Sequence, residues 1–269
     1  MTEIIKSKDN KQIKRFVKLA GSKSYREQEG AFVIESIKLI KEAFLSGVTF
    51  ETVFVTASCY EKLSKQTDTQ SEKFFQETAF TLIDESLENK LSLAKTPQGI
   101  YAICKILDKS LTLCKIYNSG NYCFLSGLQD PGNVGTIIRT AEAFGIDGLI
   151  LSEDCCDRYN PKVLRAAMGT AFRLPMLQVE NSMAFLKDAK ENGCVTVASV
   201  VTPDATDIRD VTYGKSNILL IGNEGNGLSD ETVKACTMKA TIHMRGKAES
   251  LNAAMAAGVL LWEMVSKTE

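Results

Sequence analysis

The spacing of apolar residues over the first hundred positions predicts a small unit of alternating helices and strands. Ile13, Phe16 and Leu19 recur at helical intervals after Asn10, and a second helix is expected over 37–44. Short apolar runs predict four strands, at 31–34, 52–55, 80–83 and 99–104. This alternation indicates an α/β domain over residues 1–105.

The second half of the chain shows the same alternation, with strands of a fully buried type. A strand at 122–125, a helix at 134–144 and a strand at 148–151 form a βαβ unit. Further helices are expected at 162–168 and 183–191, and further strands at 194–200 and 217–221. We therefore expect a second α/β domain over 122–269 with a mostly parallel sheet. Residues 106–121, which mix charge, Ser and Gly, are predicted to link the two domains.

Composition restricts the class of protein and the compartment. The 44% of hydrophobic and 24% of charged residues are ordinary globular values. The start of the chain lacks a secretory apolar run, and no later segment is long enough to cross a bilayer, so we expect a cytoplasmic protein without a membrane partner. The eight cysteines include no C-x-x-C pair and are expected to be reduced.

Histidine content restricts the chemistry further. His243 is the only histidine, so neither a metal site nor a His-based catalytic triad is expected. His243 itself is either a loop or pocket-rim residue or a functional one.

The charge is uneven along the chain, whose net value is −1: the first 26 residues hold eight basic and two acidic side chains. Such a cluster suits phosphates, which release counterions when neutralised; the alternative is a solvated helix face.

The segment L-Q-D-P-G-N-V-G-T-I-I-R-T-A, at 128–141, joins a predicted strand to a predicted helix. Ligands collect at the carboxyl ends of parallel strands, which places Asn133 beside the expected site. Arg139 lies within the helix, and its guanidinium offers five donors and a permanent charge that suit a phosphate or a ribose hydroxyl. The alternative is an Asn helix cap and a surface Arg.

Two later segments complete the candidate chemistry. The segment 219–229 has glycines in the order G-x-x-G-x-G, which is neither a Rossmann fingerprint nor a P-loop. These glycines would let the backbone approach a ligand closely, but a tight turn from strand to helix needs them equally. Asp230 and Glu231 follow the helix cap Ser229 and would repel a phosphate, so a ligand without phosphate fits better. The segment 242–252 precedes an alanine-rich stretch typical of a tightly packed core or dimer helix.

In this order, the three segments resemble the three motifs of the SpoU/TrmH class of the SPOUT superfamily, which are RNA ribose 2′-O-methyltransferases. The resemblance covers about 122–266 and includes N-P-K-V-L-R-A-A-M-G at 160–169. The N-terminal domain, with F-V-I-E-S at 32–36 and K-T-P-Q-G-I at 95–100, is similar to the family's ribosomal-protein-like substrate-binding domain. This implies an RNA substrate-binding domain at 1–105 and a methyltransferase domain at 122–269 that contains a deep trefoil knot.

The resemblance also implies S-adenosylmethionine as cofactor, ribosomal RNA as substrate, and a homodimer packed through the C-terminal domains that completes the active site. No metal is implied. Five positions match the family's polar catalytic set: Asn133, Arg139, Glu224, Ser250 and Asn252. Three match the residues whose backbone holds the cofactor: Gly222, Ile242 and Leu251. The basic cluster becomes an expected RNA contact through Lys11, Lys14, Arg15, Lys18, Lys23 and Arg26.

Two positions depart from the family pattern: Ser36 stands where Gly is usual, and His243 where Pro is common. A guanidinium, with a pKa above about 12, is a poor proton acceptor, so we expect Arg139 to orient the 2′-hydroxyl or its phosphate. One alternative function is an RNA-binding or ribosome-assembly protein that lost catalysis, against which the intact catalytic set argues. Another is a dinucleotide-dependent enzyme, against which the order of the glycines argues.

Overall fold

The computed structural model describes residues 4–107 and 111–268. The chain divides into two compact units, the first comprising residues 1–108 with 157–172, and the second 109–156 with 173–269. The predicted linker 106–121 lies partly outside the described residues, and its later part contains the helix Leu113–Asn118 and the start of the strand Gly120–Leu125.

The helices and strands alternate along both units. The helices are α1 (Lys11–Gly21), α2 (Lys23–Glu29), α3 (Ile37–Leu45), α4 (Ala57–Ser64), α5 (Thr69–Glu77), α6 (Glu88–Leu91), α7 (Leu113–Asn118), α8 (Pro131–Ala143), α9 (Pro161–Ala167), α10 (Ser182–Glu191), α11 (Asp230–Ala235) and α12 (Ala253–Thr268). The strands are β1 (Ala31–Glu35), β2 (Phe50–Thr56), β3 (Phe80–Ile83), β4 (Ile100–Lys105), β5 (Gly120–Leu125), β6 (Gly148–Leu151), β7 (Met176–Gln178), β8 (Val195–Ser199), β9 (Thr206–Asp207), β10 (Ser216–Ile221) and β11 (Met238–Thr241). Every strand and helix predicted from the apolar pattern is confirmed, with small shifts at the ends.

A mixed sheet in the order β1-β4-β2-β3 forms the centre of the first unit. Strand β4 pairs antiparallel with β1 and with β2, whereas β3 pairs parallel with β2. Helix α1 begins where the side chain of Asn10 accepts a hydrogen bond from the Gln12 N–H, and it buries the face that carries Phe16. The Phe16 ring meets Phe54 and Tyr101 edge to face, with centroids 6.3 and 5.9 Å apart.

Residues 157–172 complete the core of this first unit from a distant part of the chain. The ring of Phe32, in β1, stacks on Tyr159 at 4.8 Å and on Phe172 at 6.1 Å. Arg26, only 4% exposed, forms an ion pair with Asp157 at 2.6 Å. The segment 160–169, which forms part of the family resemblance, therefore packs with the N-terminal residues.

The second unit is built on a seven-stranded parallel sheet in the order β7-β6-β5-β10-β8-β11-β9, which confirms the predicted parallel α/β class. The central strand β10 is buried along its whole length, as expected for a strand covered on both faces. Helix α12 packs against α8 and also contacts β5 and β10. Among the described helices, none combines the length and the apolar character that a bilayer crossing requires.

Candidate active site

The carboxyl edge of the parallel sheet brings two of the predicted motifs together. Strands β5 and β10 are neighbours in register, with Leu125 opposite Ile221, so the loops that follow them start side by side. The loop after β5 leads into α8, and the loop after β10 leads into α11. The third motif follows β11 and ends at the start of α12.

A chain of hydrogen bonds joins the three motifs. The Asn133 side-chain amide donates to Glu224 Oε1 at 3.1 Å, and the Asn252 amide donates to Asn133 Oδ1 at 3.0 Å. The Asn252 carbonyl oxygen also accepts from the Ala254 N–H and begins α12. Three of the five predicted catalytic residues are therefore in direct contact, each from a different motif.

Glu224 is held as a carboxylate by the donors around it. Its oxygens accept from the backbone N–H groups of Gln129 at 3.3 Å and Asp130 at 3.1 Å, besides the Asn133 amide. Burial acts to raise the pKa of Glu224, but these hydrogen bonds to the charged form outweigh it, and the pKa lies below its usual value. Glu224 thus keeps its charge at neutral pH. Protonation of Glu224, which would release the loop after β5, requires a pH below the usual pKa of a glutamate.

The loop after β10 folds back on itself behind Gly222. The backbone groups of Asn223 and Gly227 exchange two hydrogen bonds, at 3.0 and 2.9 Å, and the Asn223 side chain donates to Gly127 O at 2.7 Å. A Cβ on Gly222 would lie 2.3 Å from the carbonyl carbon of Gly227 and 2.5 Å from Leu228 N. Only glycine fits at position 222, because both of these neighbours are backbone atoms.

A cavity of about 480 Å³ opens beside this loop. Its lining includes Gly222, Glu224, Ser250 and Leu251 from the predicted site. Ile242 lines a smaller adjoining cavity of about 80 Å³, together with Ser250 and Leu251. All three predicted cofactor-binding residues therefore face connected or adjoining space of a size that suits a small organic ligand.

Sequence reasoning missed one wall of this cavity, residues 199–202. Ser199 is the last residue of β8, which pairs with β10, and residues 200–202 follow it. The rule that ligands collect at the carboxyl ends of parallel strands applies to β8 as it does to β5 and β10, and it would have found this wall once the strand order was known.

Two predicted catalytic residues do not join the hydrogen-bonded network. Ser250 lines the cavity but is exposed, with no hydrogen bond to the described residues. Arg139 is exposed on α8 and forms no hydrogen bond or ion pair within residues 4–107 and 111–268. In this single chain the guanidinium is therefore available to a further molecule. Within the same residues, no group of three or more His, Cys, Asp or Glu is placed to hold a metal ion.

The predicted RNA-binding cluster divides into free and occupied cations. Arg26 is buried and donates to Asp157 and to Leu19 O, a structural role that differs from the predicted contact with RNA. The other members remain on the surface, most of them with a partner: Arg15 pairs with Glu29 and Glu51, Lys14 with Asp9 and Lys23 with Glu27, while Lys18 lies over the Tyr25 ring and Lys11 is exposed.

Comparison with known proteins gives matches over both parts of the chain. The SpoU rRNA Methylase family matches residues 121–262, and the MRM3-like substrate binding domain matches residues 10–102. The chain is 29% identical over 260 residues to the 23S rRNA (guanosine(2553)-2′-O)-methyltransferase RlmP of Bacillus subtilis (strain 168), covering 97% of this chain and 98% of that protein. It is 31% identical over 265 residues to an uncharacterized tRNA/rRNA methyltransferase of Synechocystis, covering 96% and 92%.

Solved structures match over nearly the whole chain as well. The AdoMet-bound rRNA methyltransferase from Sinorhizobium meliloti has a TM-score of 0.82 and 28% identity, covering 97% of this chain and 96% of that one. The SpoU methyltransferase AviRb from Streptomyces viridochromogenes, in complex with AdoMet, has a TM-score of 0.81 and 26% identity, covering 96% and 98%. The three motifs, the parallel sheet that joins them and these matches agree: the chain belongs to the SpoU rRNA methylase family.

Proposed function

We propose that this protein transfers the methyl group of S-adenosylmethionine to a ribose 2′-oxygen of ribosomal RNA. The observation that carries the proposal is the cavity at the carboxyl edge of the sheet, which adjoins the Asn252–Asn133–Glu224 network. RlmP is named as a 23S rRNA 2′-O-methyltransferase, and two matching structures hold AdoMet. The matches to the SpoU rRNA Methylase family and to a 23S rRNA methyltransferase favour ribosomal over transfer RNA.

The residues around the cavity fit this cofactor. Backbone at Gly222, Ile242 and Leu251 would hold it, and the lack of a side chain at Gly222 lets the Gly227–Leu228 backbone pack closely against the strand end that lines the cavity. Asp230 also lines the cavity, and its carboxylate disfavours a phosphate-bearing ligand. When bound, the cofactor supplies a sulfonium methyl group as the electrophile.

The polar residues position the RNA for in-line attack. Because Asn133 accepts from one motif and donates to another, it fixes the entry to α8 relative to the cavity. Arg139, on the same helix, orients the 2′-hydroxyl or the adjacent phosphate through its fork of donors. Such positioning accounts for a large part of the rate in a transfer between two bound substrates.

Methyl transfer by the Arg139→Ala variant is the test of this function. We incubate the parent and the variant with methyl-labelled cofactor and total RNA, and then map the labelled ribose. The parent should label one ribosomal RNA ribose, and the variant should label it about a hundredfold more slowly because the sugar is no longer aligned.

Arg173→Ala is the matched control, since it removes a surface guanidinium that pairs with Glu142. Equal labelling by the Arg139 variant would remove Arg139 from the mechanism. If the parent labels no RNA, the enzyme assignment fails and the alternative of a non-catalytic RNA-binding or ribosome-assembly protein takes its place.

We also propose a homodimer through α8 and α12 that completes the active site. Met255, Val259 and Trp262 follow helical spacing on α12 and are 63%, 43% and 58% exposed. With Thr136 and Thr140 of α8 they line a groove of about 380 Å³, an apolar surface typical of an interface. Arg139 lies on the same helix as these threonines, which supports its use across the interface.

The dimer predicts the behaviour of a Trp262→Asp variant. A charge in the centre of an apolar interface must be desolvated, so we expect the variant to sediment as a monomer and to lose methyl transfer. Sedimentation velocity of both proteins measures this, and a Lys187→Asp variant on the exposed face of α10 serves as control. A monomeric parent with full activity would contradict the dimer.

The knot and the domain functions belong to the same proposal. Strand β11 lies near one edge of the sheet, yet the following α12 contacts the central strands β5 and β10, a return path that supports a trefoil knot. We assign RNA substrate binding to residues 1–105 and catalysis to 122–269, with the matches at 10–102 and 121–262 as support. A cytoplasmic location is expected for an enzyme of this substrate.

A further inference from the structure

In the first unit, hydrogen bonds hold the loop 92–98 against residues 35–37, which connect β1 to α3. Glu35, 7% exposed at the end of β1, accepts from Leu93 N at 2.5 Å and from Ser92 Oγ at 3.2 Å. Burial raises the pKa of Glu35, which the hydrogen bonds only partly offset. At the other end of the same loop, Gln98 Oε1 accepts from Ile37 N at 3.2 Å. The loop 92–98 is therefore held against the start of α3.

Helix α9 lies beside the loop 92–98 and the start of α3, and the three together form one surface. Arg165 Nη1 donates to Leu93 O at 2.7 Å, and the exposed side chain borders a cavity of about 40 Å³ whose lining is Ser36, Lys38, Leu39, Arg165 and Met168. This volume is far below that of pockets for nucleosides or drug-sized ligands, which are about 300 Å³ or more. The surface therefore suits contact with an extended chain rather than enclosure of a small molecule.

Backbone strain is concentrated at the same place. Ser36, with φ of 95°, and Met168, with φ of 52°, are the two non-glycine residues with positive φ in the part of the chain that the structure describes. Both line the small cavity. Strained backbone of this kind is found preferentially at ligand-binding sites, where the surrounding structure fixes it.

The cations of this surface differ from Lys14 and Arg15 of α1 and from Lys23 of α2 in having no carboxylate partner. Lys38 and Arg165 line the small cavity, and Lys95 lies within the loop 92–98 that is held beside it. All three are exposed, and none of them forms an ion pair within residues 4–107 and 111–268. Lys14 and Arg15, in contrast, are already paired with acids. A cation that is not neutralised within the protein gains more from a phosphate, because no ion pair has to be broken first.

We infer that Lys38, Lys95 and Arg165 form a contact surface for the RNA phosphate backbone, here named the Lys38–Arg165 surface, and that it contributes more to RNA affinity than the paired cations of α1 and α2. This inference rests on the proposed function, since it takes the substrate to be RNA. It assigns a recognition role to α9, whose sequence lies within the match to the methylase family.

The test compares three double variants of equal charge. Lys38→Ala/Lys95→Ala removes two cations of the surface, and Lys14→Ala/Lys23→Ala removes two lysines of α1 and α2 that are paired with acids. Lys62→Ala/Lys73→Ala removes two exposed lysines of α4 and α5 as control. Binding to a large-subunit ribosomal RNA transcript is measured between 50 and 200 mM salt. The first variant should bind roughly tenfold more weakly, with a salt slope smaller by about 1 for each lysine, and the control should bind like the parent.

Three further measurements separate the possible causes. Unchanged thermal unfolding and cofactor affinity exclude misfolding, and Lys38→Arg/Lys95→Arg should restore RNA binding. Arg165→Gln should lower the slope by about 1 as well. The inference is overturned if the Lys38/Lys95 variant binds like the parent, or if the Lys14/Lys23 variant loses more affinity. If either of these two results is found while the parent still methylates RNA, only the role of this surface is refuted. If the parent neither binds nor methylates RNA, the proposed function is refuted too.

Discussion

Gly222→Ala is expected to weaken cofactor binding and, with it, methyl transfer. The added Cβ would stand 2.3 Å from the Gly227 carbonyl carbon, 2.5 Å from Leu228 N and 2.7 Å from Gly227 O. Backbone atoms cannot turn aside as a side chain does, so the loop that returns from Asn223 to Gly227 has to shift. Overpacking of this kind costs about 1–3 kcal/mol. Since about 1.4 kcal/mol is a factor of ten, we expect cofactor affinity to fall roughly ten- to a hundredfold.

Isothermal titration of the parent and the variant with S-adenosylmethionine measures this loss. Gly246→Ala is the matched control, because a Cβ there meets nothing within 4 Å and the glycine lies in the third motif, away from the cavity lining. Equal affinity of the Gly222 variant and the parent would show that the cofactor does not depend on this loop.

Glu224→Gln should reduce methyl transfer by about a hundredfold with little change in cofactor affinity. The carboxylate accepts from Asn133 and Asp130 on one oxygen and from Gln129 on the other. A glutamine keeps one acceptor and places an NH₂ group against donors on the opposite side, so one set of hydrogen bonds is lost. The loop that positions Asn133 then moves, and small misplacements of this kind cost about 10²-fold in rate.

Single-turnover methylation of ribosomal RNA, beside cofactor titration, measures the effect. Glu231→Gln removes the same charge from an exposed position in the first turn of α11 and should leave both quantities as in the parent. A Glu224 variant that methylates at the parent's rate would contradict the role of the network in alignment.

Much of the fold could be predicted because most core elements carry a clear apolar period. Helix α1 buries Ile13, Phe16 and Leu19 at helical spacing, and β1 and β10 each contain a run of four consecutive apolar residues, 31–34 and 218–221. The three motifs located the Gly222 loop and the three residues of the hydrogen-bonded network without knowledge of the strand order. Their glycines and amides are needed for local geometry that few other residues can form.

Other features depend on contacts that the local pattern does not contain. Helices α4 and α5 are largely polar, and strands β7 and β9 have three and two residues, so their apolar period is too short to detect. The burial of Arg26 requires Asp157, which is 131 residues away. The lining contributed by 199–202 required the pairing of β8 with β10. The spacing of residues along the chain predicts neither the contact between Arg26 and Asp157 nor the pairing of β8 with β10.

The position of residues 157–172 determines when the first unit can finish folding during synthesis. An N-terminal fragment ending at 108 lacks the rings of Tyr159 and Phe172 that cover Phe32, and it lacks the carboxylate that neutralises Arg26. As the ribosome releases the chain from its first residue onward, this apolar face stays uncovered until about a further sixty residues have emerged. Truncation at a single point therefore cannot yield the complete first unit without part of the second, and a nascent chain of this protein exposes a surface that a chaperone can bind.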